Sequence, residues 1–158
     1  MQIRPDDLTD PAIHALLEEH LHNMHALSPR ESVHALDLDR LRDPAITFWS
    51  AWYGATLLGC AALRQLDPTH GEIKSMRTPD AQRRRGAGKA LLAHLIDEAG
   101  RRGYRRLSLE TGAQAGFTAA QTLYAQAGFE RCGPFGDYRD DPNSVFMTRT
   151  LEAGKQAE

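Results

Sequence analysis

The chain has 158 residues, of which 19 are basic and 21 acidic, so its formal net charge is −2. This length has room for one domain with a single substantial core, and the near-neutral charge argues against a general nucleic-acid surface. The first thirty residues lack a charged start followed by an apolar run, and no apolar stretch is long enough to cross a bilayer. We therefore expect one soluble, cytoplasmic domain over residues 1–151, followed by a disordered tail over residues 152–158.

Hydrophobic periodicity divides the chain into about seven strands and four helices. Apolar residues recur at helical spacing after Pro11, whereas β-branched and aromatic residues cluster from Ile46. A helix connects strands 71–78 and 105–111, which is the kind of crossover that joins parallel strands. The expected fold class is therefore α/β, with a mixed (α+β) sheet. In chain order we predict a strand at 2–4, helices at about 11–26 and 33–41, strands at 46–53, 56–63 and 71–78, a helix at 87–102, a strand at 105–111, a helix at 117–127, and strands at 129–132 and 144–151.

Cysteine and histidine placement favours neither a disulfide framework nor a metal site. Cys60 and Cys132 lie in apolar segments, where a buried free thiol is the commoner state. His20, His22 and His25 accompany the first predicted helix, and a metal site is conceivable because His22 and His25 share a face. Such a site would lack a thiolate and any evident convergent carboxylate. We therefore expect no metal, and we expect surface or substrate-side roles for these histidines.

A basic, glycine-bearing turn precedes the helix predicted at 87–102. Its glycines let a ligand approach the backbone closely, and a helix that begins there points free N–H groups toward the same place. The helix dipole and four basic side chains add positive charge, so phosphate or pyrophosphate is the expected ligand. The alternative is a strand-to-helix connection that uses glycine for geometry alone. The turn reads Arg83-Arg84-Arg85-Gly86-Ala87-Gly88-Lys89.

Two motifs in this order resemble those of the Gcn5-related N-acetyltransferase (GNAT) family. The first is Arg83-x-x-Gly86-x-Gly88, which fits Arg/Gln-x-x-Gly-x-Gly/Ala between an extended segment and a helix. The resemblance extends over about residues 71–131. It implies the GNAT fold with a splayed central pair of strands, and acetyl-CoA as co-substrate. It also implies direct transfer of acetyl to a primary amine of a small polar acceptor in a ternary complex. The second motif reads Ala119-Ala120-x-x-Leu123-Tyr124-x-x-x-Gly128-Phe129.

The resemblance also implies which residues bind the co-substrate. Backbone groups left unpaired near the end of strand 71–78 would bond the pantetheine amides, and the basic turn would hold the pyrophosphate. Many members of the family carry Asn after the strand equivalent to 105–111, and this chain departs from that pattern with Thr111-Gly112. The cofactor-binding residues implied are Met76, Arg77, Thr78, Arg83, Arg84, Arg85, Gly86, Ala87, Gly88, Lys89, Thr111 and Tyr124.

Two catalytic roles need a side chain. Tyr124 resembles the general acid of the family, and a phenol of pKa about 10 suits a leaving thiolate of pKa about 8.5. The alternative for Tyr124 is a helix aromatic packed in the core. For the general base we favour Glu72, with Glu110 as the second candidate, because these two acids lie on the strands that would flank the site.

The sequence leaves alternatives open for acceptor recognition and for the overall function. In the family, the first two helices and the loop between the last two strands line the acceptor pocket. Our candidate substrate residues are therefore His25, Arg77 and Tyr138, although Arg77 is equally compatible with a place in solvent. We expect no nucleic-acid or membrane partner and leave a homodimer open. The alternative function is a non-catalytic acetyl-CoA or CoA sensor, because only catalysis requires Tyr124.

Overall fold

The computed structural model describes residues 1–27, 38–79 and 86–151, with side chains left out at 20–27, 38 and 39. Seven strands and four α-helices are present in these ranges, with a short 3-10 turn at Ala115–Phe117 before the last helix. In chain order they are β1 (Gln2–Pro5), α1 (Pro11–Leu27), α2 (Leu38–Leu41), β2 (Ile46–Tyr53), β3 (Thr56–Asp67), β4 (His70–Arg77), α3 (Ala87–Arg101), β5 (Arg106–Gly112), α4 (Thr118–Gln126), β6 (Glu130–Cys132) and β7 (Ser144–Thr150).

The strands form one mixed sheet in the order β1-β2-β3-β4-β5-β7-β6. Neighbours are antiparallel except β4 and β5, which are parallel and joined through α3. This confirms the predicted fold class and the predicted crossover. Most of the second predicted helix, at 33–41, lies outside the described residues, and α2 is a single turn of four residues. Within the described ranges, no helix combines the length and the apolar character needed to cross a membrane.

Helix α3 buries its apolar face against one side of the sheet. Leu91, Leu92 and Leu95 are at most 2 % exposed. Close packing is possible because β3 has a glycine under the helix: a Cβ at Gly59 would stand 3.0 Å from Leu91 Cδ1. The same side of the sheet carries Leu107 and Leu109 of β5 in the larger of two apolar clusters.

Helix α1 covers the opposite side of the sheet. Ile13, Leu16 and Leu17 pack there with Phe48 and Trp52 of β2 in the second apolar cluster. Since side chains alternate along a strand, β4 and β5 also present residues toward this second side. The site described below lies where these residues meet the loop at 133–143.

The parallel pair β4 and β5 separates partway along its length. The last paired residues are Ile73 and Leu109, yet β4 continues to Arg77 and β5 to Gly112. The divergence coincides with a β-bulge, because one residue of β3, Ala61, lies opposite two of β4, Ser75 and Met76. This confirms the predicted splayed pair.

The bulge contains Ser75, whose backbone has a φ of +52°. A non-glycine residue in this left-handed region costs about 1 kcal/mol or more, so packing on both sides must hold it there. The Cys60 thiol donates to the Ser75 carbonyl at 3.3 Å, which is one such contact. Burial raises the pKa of this thiol to about 12, so Cys60 is present as the thiol.

Candidate active site

A cleft opens where β4 and β5 diverge. Its volume is about 110 Å³, which is room for several water molecules or a short acyl chain. Side chains of both strands and of α4 line it, together with Tyr138 from the loop at 133–143. The lining residues are Ile73, Lys74, Ser75, Met76, Arg77, Leu109, Glu110, Thr111, Gly112, Phe117, Ala120, Tyr124 and Tyr138.

Tyr124 is brought to the cleft by the way α4 is fixed to the end of β5. The Gln121 amide donates to the Gly112 carbonyl at 2.7 Å. The Phe117 ring lies against Gly112, where a Cβ would come within 2.1 Å of the ring. Glycine is therefore required at the end of β5 for the start of α4 to pack there.

The Tyr124 side chain is largely buried at the wall of the cleft. It is 8 % exposed, and its ring packs edge-on against Phe129 at 6.1 Å between centroids. Burial raises the pKa of Tyr124 to about 12, and the nearby Glu110 adds to the effect. Within the described part of the chain its hydroxyl has no hydrogen-bond partner. Tyr124 therefore presents a protonated phenol to the cleft at neutral pH.

Glu110 is the carboxyl group in the cleft. Burial raises its pKa from 4.5 to about 7, and the Glu72 and Asp141 carboxylates add to the effect. The Ser144 hydroxyl and the Lys74 ammonium lower the pKa of Glu110 and so partly oppose this rise. A carboxyl group of this pKa exchanges protons readily near neutral pH, as a general base requires.

Glu72, the acid that we favoured from the sequence, lies behind the cleft rather than in it. It is 1 % exposed and is not among the lining residues. Its Oε2 accepts from Lys74 Nζ at 3.2 Å and from the Tyr138 hydroxyl at 2.6 Å. Its Oε1 is 4.0 Å from the Arg64 guanidinium. These contacts give Glu72 the role of holding two cleft residues in place.

Tyr138 does line the cleft, as its candidate role in acceptor binding requires. Its hydroxyl accepts from Lys74 Nζ at 2.7 Å and donates to Glu72. Burial and the Glu72 carboxylate raise the pKa of Tyr138 well above its ordinary value, so the phenol stays protonated. Its ring packs against Phe135 and Phe146 at 5.2 and 5.5 Å.

Sequence reasoning missed Lys74. It lines the cleft with a side chain that is only 8 % exposed, and it binds both Glu72 and Tyr138. The available signal was its position two residues after Glu72 on a strand, which places both side chains on one face. A lysine at such a position is usually exposed to solvent, so the sequence pattern alone gave no reason to assign Lys74 a role.

The described part of the predicted phosphate turn fits an anion. Gly86 precedes α3 with a φ of +81° and leaves the helix without a side-chain cap. The first helical hydrogen bond runs from the Ala90 N–H to the Gly86 carbonyl at 3.0 Å, so three earlier N–H groups precede it. They belong to Ala87, Gly88 and Lys89. Arg83, Arg84 and Arg85 lie outside the described residues.

The remaining candidates for co-substrate binding lie between the cleft and this helix start. Met76 and Thr111 line the cleft. Met76 also reaches α3, with its Cε 3.9 Å from where a Gly88 Cβ would stand. Thr78 follows the end of β4 and is half-buried. The cleft and the start of α3 are thus connected through Met76.

Arg77 and His25 were the other candidate substrate residues. The Arg77 guanidinium lies 3.8 Å from the Glu19 carboxylate of α1, and the side chain is 18 % exposed. Arg77 therefore lies between α1 and the cleft, and its role in acceptor binding stays a prediction. His25 lies in α1, and its side chain is outside the described residues.

The comparisons with known proteins agree with this architecture. Residues 13–129 match the family model described as "Acetyltransferase (GNAT) family". The N-acetyltransferase YsnE of Bacillus subtilis (strain 168) is 57 % identical over 151 residues, covering 96 % of this chain and 100 % of the relative. The IAA acetyltransferase of Azospirillum brasilense is 38 % identical over 141 residues, covering 89 % of this chain and 91 % of the relative.

A solved structure shares the whole fold. An acyl-CoA N-acyltransferase of Klebsiella pneumoniae superposes with a TM-score of 0.80 and 28 % identity, over 96 % of this chain and 97 % of that one. The chain therefore belongs to the acetyltransferase (GNAT) family. It is an acyltransferase enzyme, and acetyl-CoA is the co-substrate that this membership implies. The non-catalytic alternative loses its support.

Proposed function

We propose that this protein transfers the acetyl group of acetyl-CoA to a primary amine of a small polar acceptor by direct attack. The observation that carries the proposal is the presence of Tyr124 and Glu110 in one cleft. One is a buried phenol that stays protonated, and the other is a carboxyl group of pKa about 7. Direct acetyl transfer needs one group that gives a proton and one that takes a proton.

The donor binds along the path from the start of α3 to the cleft. The uncapped N–H groups of Ala87, Gly88 and Lys89 favour a pyrophosphate, with Arg83, Arg84 and Arg85 adding charge. The unpaired edge of β4 from Met76 to Thr78 offers backbone groups to the pantetheine amides, and Thr111 faces it from β5. One backbone donor there would polarise the thioester carbonyl.

Glu110, rather than Glu72, takes the proton of the acceptor amine. An alkylammonium of pKa about 10 must lose a proton before it attacks. Glu110 lines the cleft, whereas both Glu72 oxygens lie beside cations or Tyr138 away from it. Glu72 instead positions Lys74 and Tyr138.

Tyr124 gives a proton to the departing sulfur. The amine nitrogen forms a bond to the thioester carbonyl carbon, the carbon–sulfur bond breaks, and the sulfur leaves as a thiolate. Tyr124 protonates that thiolate, and the second proton that the nitrogen loses as the amide forms returns to the Tyr124 oxygen. Glu110 keeps the first amine proton until solvent exchanges it. The products are an N-acetylated acceptor and free CoA, and no redox change or metal is required.

The experiment follows free thiol release from acetyl-CoA across a panel of amines, amino acids, aminoglycosides and peptides. IAA belongs in the panel because it gives the Azospirillum brasilense relative its name. We expect turnover with at least one primary amine and none with tertiary amines of the same charge. Tight binding of acetyl-CoA with no turnover on the full panel would contradict the proposal.

A further inference from the structure

Lys74 and Glu110 occupy equivalent positions on the two strands that form the cleft. Each follows directly after the last paired residues, Ile73 of β4 and Leu109 of β5. Because side chains alternate, both leave the sheet on the side opposite the α3 core. Both line the cleft, and the Lys74 charge acts on Glu110. A cation and a carboxyl group therefore stand next to each other at the mouth of the splayed pair.

The Lys74 ammonium has one donor left for a ligand. An ammonium has three N–H donors, of which one points to Glu72 Oε2 and one to the Tyr138 hydroxyl. The structure assigns it no third hydrogen-bond partner in the described ranges of the chain. The side chain is more than nine-tenths buried, at 8 % exposure, so solvent serves this donor poorly. A buried donor without a partner costs free energy, which a bound acceptor group would recover.

The local charge balance favours an anion at this donor. Arg64 and Lys74 contribute two positive charges around the single negative charge of Glu72. Burial raises the pKa of the adjacent Glu110 to about 7, so this carboxyl group only partly offsets the Lys74 charge at neutral pH. An acceptor without an anionic group would leave the Lys74 charge only partly compensated in the cleft.

We infer that Lys74 and Glu110 together form a subsite for a free amino acid, with its carboxylate on Lys74 and its amine at Glu110. The inference rests on the proposed function and names its acceptor class. Lys74 and Glu110 directly follow the last paired residues and line the same cleft, so they suit an acceptor whose amine and carboxylate are close together. A peptide N-terminus carries the amine without an adjacent carboxylate and does not satisfy Lys74.

The test uses matched acceptors that differ only in the carboxylate. Amino acids are compared with their primary amides and with the amines that lack the carboxyl group, and kcat/KM is measured for each. A charge-assisted hydrogen bond in such a site corresponds to about a ten- to hundredfold preference for the free acid. Lys74→Met should bring the ratio of kcat/KM for the acid to kcat/KM for the amide close to one. Lys74→Arg should keep much of the preference for the acid.

Two further variants exclude a structural explanation. Glu72→Gln combined with Lys74→Met removes the pair without leaving a buried charge unbalanced, and it should lose the preference as the single variant does. Arg105→Met removes an exposed cation just before the start of β5, away from the cleft, and should keep the full preference. An equal preference in the parent and in Lys74→Met would overturn the inference, as would a parent enzyme that favours amides or peptides.

Calorimetry separates this inference from the proposed function. The same acid and amide pairs are titrated into protein saturated with CoA, which reads the preference without turnover. Binding preference without any acetyl transfer would contradict the proposed function and support the subsite. Acetyl transfer without preference would contradict the subsite alone, and neither binding nor transfer would contradict both.

Discussion

The Tyr138 hydroxyl donates a hydrogen bond of 2.6 Å to the Glu72 carboxylate, which lies 66 positions earlier in the chain. This bond fastens the loop at 133–143 to β4, beside the cleft. Glu72 is 1 % exposed, and without this bond Lys74 would be its only close hydrogen-bond donor among the described residues. The loop, the buried acid and the cleft lysine therefore form one unit.

Tyr138→Phe removes this bond and keeps the ring contacts with Phe135 and Phe146. Losing a hydrogen bond to a buried carboxylate should lower the free energy of unfolding by about 1–3 kcal/mol. Urea denaturation measures the change. Tyr53→Phe is the control, because it is the same substitution at a side chain that is 64 % exposed. Equal losses in the two variants would contradict the anchoring role.

Gly112→Ala tests how α4 is held at the cleft. The added Cβ would come within 2.1 Å of the Phe117 ring, so the ring or the start of α4 must move. Overpacking of this kind costs about 1–3 kcal/mol and should also displace Tyr124, lowering turnover. Gly133→Ala is the matched control, since nothing lies within 4 Å of its added Cβ. Gly112→Ala should have a lower melting temperature and a lower turnover than Gly133→Ala. Equal values in the two variants would contradict the requirement for glycine at position 112.

Tyr124→Phe separates catalysis from packing. The ring stays against Phe129, and the lost hydroxyl has no partner in the described ranges, so the melting temperature should change little. Turnover should fall by about a hundredfold, the low end for general acid catalysis, because a thiolate is a tolerable leaving group. Measuring kcat and the melting temperature of this one variant decides between a catalytic and a packing role for Tyr124. Lower stability with unchanged kcat would make Tyr124 a core residue only.

The fold was predictable to the level of the splayed strands. Alternation and glycine turns gave the strands, and the helix between strands 71–78 and 105–111 gave the parallel crossover. The resemblance carried by the two motifs implied the splayed pair. β3 is longer than predicted, reaching Asp67 instead of residue 63, because its polar end still pairs with the first residues of β4. The positive φ of Ser75 could not be predicted from the sequence, since serine tolerates that backbone conformation without requiring it.

The choice between the two acids could not be made from the sequence. Glu72 and Glu110 each stand on a flanking strand, at positions that face the same side of the sheet. What distinguishes them is the Tyr138 hydroxyl, which comes from a loop far along the chain and covers Glu72 but leaves Glu110 on the cleft. Contacts between distant segments of this kind are invisible to local patterns.

Glu110 should also change how stability depends on pH. Its pKa is about 7 in the folded protein against 4.5 ordinarily, so between these values the unfolded chain loses a proton that the folded protein keeps. Its contribution to stability is therefore full below about pH 4.5 and is lost as pH rises through about 7. Glu110→Gln should match the parent at pH 4 and exceed it in melting temperature at pH 8. A difference between the two proteins that does not change with pH would show that Glu110 ionises normally.

The most direct test of the catalytic account is the ratio of kcat/KM of the parent to that of Glu110→Gln, measured for one acceptor from pH 5 to pH 9. The acceptor amine titrates equally in both reactions, so its ionisation cancels in the ratio. With Glu110 as the base, the ratio should rise about tenfold per pH unit, level off above about pH 7 and reach about 10²–10⁴. A ratio near one, or a large ratio that stays constant across this range, would contradict the assignment of Glu110 as the base.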